Sequence, residues 1–103
     1  MVKIIWTEQA LKDLDEIAEY ISKDSVKYAE LMVKKLFSAP EILVKFPEFG
    51  RVVPEFKDKK IREIIYGNYR IVYLVVNSSR LDILTIHHSS RMLRPRVQKK
   101  KTP

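Results

Sequence analysis

Cysteine is absent from the 103-residue chain. This excludes a disulfide scaffold, a thiolate metal centre and a cysteine nucleophile. Glycine is nearly absent: Gly50 and Gly67 are the only two, so there is no glycine-rich loop to cradle a phosphate. No apolar run approaches the roughly 18 residues that a membrane span needs. The opening MVKIIWTEQA turns acidic too early for a secretory leader. These absences lead to the expectation of a cytoplasmic protein with no membrane partner, no metal and no cofactor. The last 13 residues, RMLRPRVQKKKTP, lack any acid.

What is present starts with charge. Lys and Arg number 20 against 13 Asp and Glu, a net +7, which points to a polyanionic partner. The distribution narrows that reading. The final 13 residues hold six of the 20 basic groups, so residues 1–90 carry only +1. The expected organisation is one domain over 1–90 and a basic, flexible tail over 91–103.

Hydrophobic spacing gives the elements. Residues 2–6, VKIIW, read as a strand. Thr7 offers a helix cap, and Ala10, Leu11, Leu14, Ile17, Ala18 and Ile21 follow at helical spacing to about Ser22. Asp24 or Ser25 caps a second helix, which the ring of Pro40 is expected to break. The period then changes. Arg51–Glu55 reads as a poor edge strand because of Pro54, and Phe56–Lys60 as a charged loop. Ile61–Tyr66, Tyr69–Val76 and Leu81–His88 read as three strands joined by turns at Gly67–Asn68 and Asn77–Arg80. The expected fold is α+β: an N-terminal strand, a helical hairpin, then an antiparallel meander with helices on one sheet face.

Two-residue turns would set Arg70 opposite His87 and Val72 opposite Thr85. Strict alternation then predicts one face with Glu63, Arg70, Val72, Ile83, Thr85 and His87. The other, with Ile64, Tyr69, Ile71, Tyr73, Leu84, Ile86 and His88, is expected to meet the helices. The first face is chemically notable. Cleaving RNA through its 2′-hydroxyl needs a base, an acid and a cation on the phosphate, and Glu63, His87 and Arg70 are suitable types. The competing reading is a cross-strand ion pair beside a strand-end histidine. His87 and His88 are poor metal ligands together, since neighbours on a strand point to opposite faces.

The segments IREIIYGNYRIVYLV and LDILTIHHSSRML, with WTEQALKDLDEIAEYI and FPEFGRVVPEF before them, resemble the RelE/ParE superfamily of toxins from type II toxin–antitoxin modules. The resemblance covers residues 2–92 and implies the same α+β fold. It also implies a cognate, acidic antitoxin that wraps around the toxin. RelE-like members cut mRNA on the ribosome, whereas ParE-like members poison DNA gyrase. Arg70 matches an arginine that helps bind the scissile phosphate in RelE-like members, although ParE-like members commonly carry it too. The lysines frequent in RelE-like nucleases are replaced at Ile61 and Glu63, and no tyrosine follows Tyr73. His88-Ser-Ser-Arg91 is similar to the ParE-like His-x-x-Arg ending. The resemblance therefore implies the ParE-like, plasmid-stabilising branch, with Arg70, His88, Arg91 and Arg94 as contacts to the target. The ribosome-dependent mRNA interferase, with Arg70, Glu63 and His87 catalytic, is the alternative.

Overall fold

The structure is a computed structural model that describes residues 1–89. Arg91, Arg94 and the rest of the basic tail lie outside the described residues. The chain runs β1 (Lys3–Trp6), α1 (Glu8–Ser22), α2 (Val26–Ser38), a 3-10 turn (Ala39–Glu41), α3 (Ile42–Lys45), β2 (Arg51–Val52), β3 (Ile61–Tyr66), β4 (Tyr69–Asn77) and β5 (Arg80–His88). The α+β expectation holds. The five strands form one sheet in the order β1-β5-β4-β3-β2. The meander is antiparallel, but β1 joins it parallel to β5, with Lys3 beside Arg80 and Trp6 beside Ile83. That docking makes the sheet mixed, and the sequence pattern did not reveal it.

The helix caps follow from short polar side chains. The Thr7 hydroxyl accepts from the Ala10 amide, and the Ser25 hydroxyl from the Tyr28 amide, satisfying donors that the first helical turn leaves unpaired. Ser25, not Asp24, is the second cap. Beyond Ser38 the backbone tightens into the 3-10 turn, with Pro40 near its start. A third, four-residue helix follows. The turn Gly67–Asn68 places Tyr66 opposite Tyr69, and Gly67 takes φ +57°, a conformation with little penalty only for glycine.

The helices cover one sheet face. Ala10 and Leu14 of α1, Leu36 of α2 and Leu43 of α3 close over Ile71, Tyr73, Leu81 and Ile83. Each fully buried large aliphatic side chain contributes about 1.5–3 kcal/mol. Here the strict alternation expected for β5 is corrected. Ile83 belongs to this core, and Leu84 packs on the opposite face with Val53 and Val72. The cause is a pair of register shifts. Val72 still faces Thr85, but Tyr73 faces Ile83, leaving Leu84 unpaired. Val75 then faces Leu81 while Asn77 faces Arg80, leaving Val76 unpaired. The extra residue on β5 and the extra residue on β4 cancel, so the register at both ends matches the turn-based expectation. Between the two bulges, β5 turns its side chains over.

Thr7 supports the bulge on β5. Its hydroxyl donates to the carbonyls of Ile83, at 2.7 Å, and Leu84, at 3.2 Å. One side chain therefore caps α1 and holds the irregular point of the neighbouring strand.

Candidate functional site

The sheet face away from the helices carries the charged residues. Ile65 pairs with Arg70 and Glu63 with Val72 across β3 and β4, so Glu63 and Arg70 are diagonal neighbours on one face. They form a direct ion pair. Arg70 Nε donates to Glu63 Oε1 at 2.7 Å, and Arg70 Nη2 lies 2.6 Å from the same oxygen. The other carboxylate oxygen is taken by Arg51 of β2, whose Nε donates to Glu63 Oε2 at 2.6 Å. Register explains this contact, since Arg51 stands directly opposite Glu63.

The pair is buried. Glu63 is 1% exposed and Arg70 7%, which corrects the expectation that Arg70 lies on an open sheet surface. The cover is the segment between β2 and β3. Its Val53 is fully buried against Val72, with Phe56, Ile61 and Leu84 packed around them. The same segment brings Glu55 Oε2 to 3.6 Å from Arg70 Nη2. A carboxylate and a guanidinium taken out of water must satisfy each other, and Glu63 does so with two arginines.

His87 faces Arg70 across β4 and β5. Its Nε2 lies 3.3 Å from the Thr85 hydroxyl. That hydroxyl donates to Asp13 Oδ2 on α1, the oxygen that also accepts from the Ile86 amide. β1 ends at Trp6 beside Ile83, so β5 continues without that neighbour, and Asp13 takes up one of its backbone donors. His88 pairs with Tyr69 in register and meets its ring edge-on at 5.2 Å. It stands on the face opposite His87, as alternation requires.

The structure thus joins Glu63 to Arg70 in contact and sets His87 across from Arg70 on the next strand. His88 is on the other face, and Arg91 and Arg94 lie outside the described residues. Arg51, Glu55, Asp13 and Thr85 were missed by sequence reasoning. A signal existed for Arg51, which begins the edge strand whose register meets Glu63. None existed for Asp13, which reads as one more acid on the solvent side of an amphipathic helix.

The arrangement suits a rigid, neutralised sheet face better than acid–base chemistry. Arg70 has its Nε and one Nη occupied by Glu63, and the second carboxylate oxygen is occupied as well. Among the described residues, no group of three or more histidine or acidic side chains is placed to hold a metal ion.

Behind this face, Tyr73 anchors the chain entering β2. Its hydroxyl accepts from the Gly50 amide at 2.9 Å and donates to the Pro47 carbonyl at 2.8 Å. Burial pushes the Tyr73 phenol above its ordinary value, opposed by the Gly50 hydrogen bond and by Arg62. A side chain at Gly50 would have its Cβ 2.5 Å from the Glu63 carbonyl and 2.7 Å from the Tyr73 hydroxyl. Gly50 is therefore required by close approach.

A family profile described as the ParE toxin of the type II toxin–antitoxin system, parDE, matches residues 4–93. Toxin RelE2 of Caulobacter vibrioides is 29% identical over 92 residues, spanning 89% of this chain and all of that one. Y4kP of Sinorhizobium fredii, whose name also carries the word toxin, is 35% identical over 89 residues, covering 84% of this chain and 88% of its own. A chain from the chromosomal ParDE system of P. aeruginosa shares the fold at a TM-score of 0.69 and 21% identity, over 85% of this chain and 96% of that one.

Proposed function

The chain belongs to the ParE toxin family of type II toxin–antitoxin systems, and from that premise we propose that it arrests growth by binding and poisoning DNA gyrase. A toxin of this class has a cognate antitoxin as its partner. The finer reading, gyrase and not ribosome-bound mRNA, is supported by one observation. The arginine that a nuclease would turn toward a scissile phosphate is 7% exposed and bonded to Glu63. A phosphate would have to displace a buried carboxylate to reach it, at the desolvation cost of leaving that charge unpaired. A toxin that works by occupying its target needs no such exchange.

In this reading the toxin domain is residues 1–90. His88 and the basic extension with Arg91 and Arg94 contact the gyrase–DNA complex, and the site of action is the cytoplasm. No helix among the described residues is long and apolar enough to cross a membrane. In this reading the module also stabilises the plasmid that encodes it.

The test is a paired assay with purified protein. Gyrase with relaxed plasmid should lose supercoiling activity and accumulate cleaved DNA, while a reconstituted translation reaction continues. Intact supercoiling together with mRNA cut only on ribosomes would overturn the reading and restore Arg70, Glu63 and His87 as catalytic.

A further inference from the structure

Between α3 and β2 the chain turns two phenylalanines outward: Phe46 is 59% exposed and Phe49 61%. Ile42, 41% exposed, continues the patch one turn earlier. The rings are not outward because the backbone is loose. The Phe46 amide donates to the Ile42 carbonyl, and the Phe49 amide to the Phe46 carbonyl. The Tyr73 hydroxyl holds the Gly50 amide and the Pro47 carbonyl. Arg62 Nη1 donates to the Gly50 carbonyl at 2.9 Å and to the Glu48 carbonyl at 3.4 Å. Every residue from 46 to 50 thus has at least one backbone group fixed. Rings presented on a fixed backbone lose little freedom on binding, and aromatic side chains of this kind anchor protein interfaces. The patch also carries both signs of charge. Lys45 precedes Phe46 and Glu48 precedes Phe49, and both are exposed. Neither belongs to an ion pair among the described residues. Residues 45–49 line one side of an open groove that Val75, Asn77 and Ser78 also line, where β4 ends.

We propose that this patch is a self-association surface, on which a second copy of the chain packs about a two-fold axis. Such an interface sets one patch against itself, so each group needs its complement within the same patch. Phenylalanine rings are their own complement. Charges are not, and a patch of one sign would repel its copy. The run Lys45-Phe-Pro-Glu48-Phe meets the condition. An axis passing between the two rings sets Lys45 against the partner's Glu48 and Glu48 against the partner's Lys45. The rings of each copy then enter the groove of the other, with Val75 as apolar wall. The patch is small. Two copies of it cover less than about 1,200 Å2, the low end for specific interfaces, so the dimer is weak, with a dissociation constant in the micromolar range.

Sedimentation equilibrium of the purified full chain, from micromolar to millimolar concentration, tests the surface. The average mass should rise from 12.2 kDa toward twice that value. Phe46→Ser and Phe49→Ser should hold the chain at the monomer mass. Both side chains are more than half exposed, so both variants should keep the wild-type Tm. Charge reversal tests the two-fold arrangement. Lys45→Glu alone and Glu48→Lys alone should each weaken the dimer about tenfold, because like charges then face each other twice. The double variant Lys45→Glu with Glu48→Lys restores both pairs and should bring the affinity back to within about threefold of wild type. A monomer at every concentration would overturn the proposal and leave the patch to a different protein, the antitoxin or the target. A dimer unmoved by Phe46→Ser and Phe49→Ser would place self-association elsewhere and overturn it too. Failure of the double variant to recover affinity would overturn the pairing of Lys45 with Glu48 across the axis. These readouts do not involve gyrase, so they stand or fall separately from the target assay.

Discussion

On one side of β4, Ile71 and Tyr73 are sealed by aliphatic side chains from three helices; on the other, Arg70 and Val72 lie beneath a single loop. The same strand alternation supplies both faces, yet they resist change in different ways. Apolar burial is non-directional and loses stability in proportion to the volume removed. A buried ion pair depends on partners at hydrogen-bond distance, and losing one partner leaves the other charged and dry. The thinner face therefore carries the more brittle contact.

The sharpest way to break this comparison is Glu63→Gln. It leaves Arg70 buried without its counter-charge and should cost about 3–5 kcal/mol in urea unfolding. Arg70→Ala should likewise lose stability and toxicity together. A loss of toxicity with the fold intact would return Arg70 to a direct role at the target. On the helix-packed face, Leu36→Ala empties a fully buried position and should cost about 2–5 kcal/mol, measured the same way. Were both charge changes to cost under about 1 kcal/mol, the network would behave as an exposed pair.

Gly50→Ala probes the place where the two faces share an anchor. Its Cβ meets the Glu63 carbonyl and the Tyr73 hydroxyl, so a loss of about 1–3 kcal/mol is expected from the forced shift. Thr7→Ala removes a cap and the hold on the β5 bulge. It should cost about 0.5–2 kcal/mol and accelerate exchange of the amides around Leu84.

The smallest effect is pH-dependent. The native Tyr73 phenol holds its proton above the ordinary value of 10.0, so its contribution to stability is present below pH 10 and is lost as pH rises through the native pKa. Thermal melts of Tyr73→Phe should fall less steeply than wild type above pH 10. Parallel slopes would show that the phenol does not carry this dependence.

Much of the fold was legible in the sequence because its signals are local. Thr7 and Ser25 announce caps, Gly67–Asn68 fixes a turn, and apolar spacing changes from helical to alternating after Gly50. What was missed depends on contacts between distant segments. Nothing in VKIIW says that it will lie parallel to β5. Arg70 could be placed beside Glu63 from turn geometry, but not beneath a cover, because the burial of Val53 comes from a loop folding back over the sheet. The exchange of Ile83 and Leu84 between faces was hidden because the two bulges cancel, leaving the end register as alternation predicts.

That cancellation also bears on how such chains vary in length. Each bulge is an extra residue outside the pairing ladder, at Val76 on β4 and at Leu84 on β5. Removing either residue would straighten its strand locally and leave every other pair, and every other side chain, on its present face. Deletion elsewhere in β4 or β5 would turn over all residues up to the next irregularity. Single-residue gaps among relatives should therefore collect at these two positions, which makes them the natural places to allow an offset when the strands are aligned.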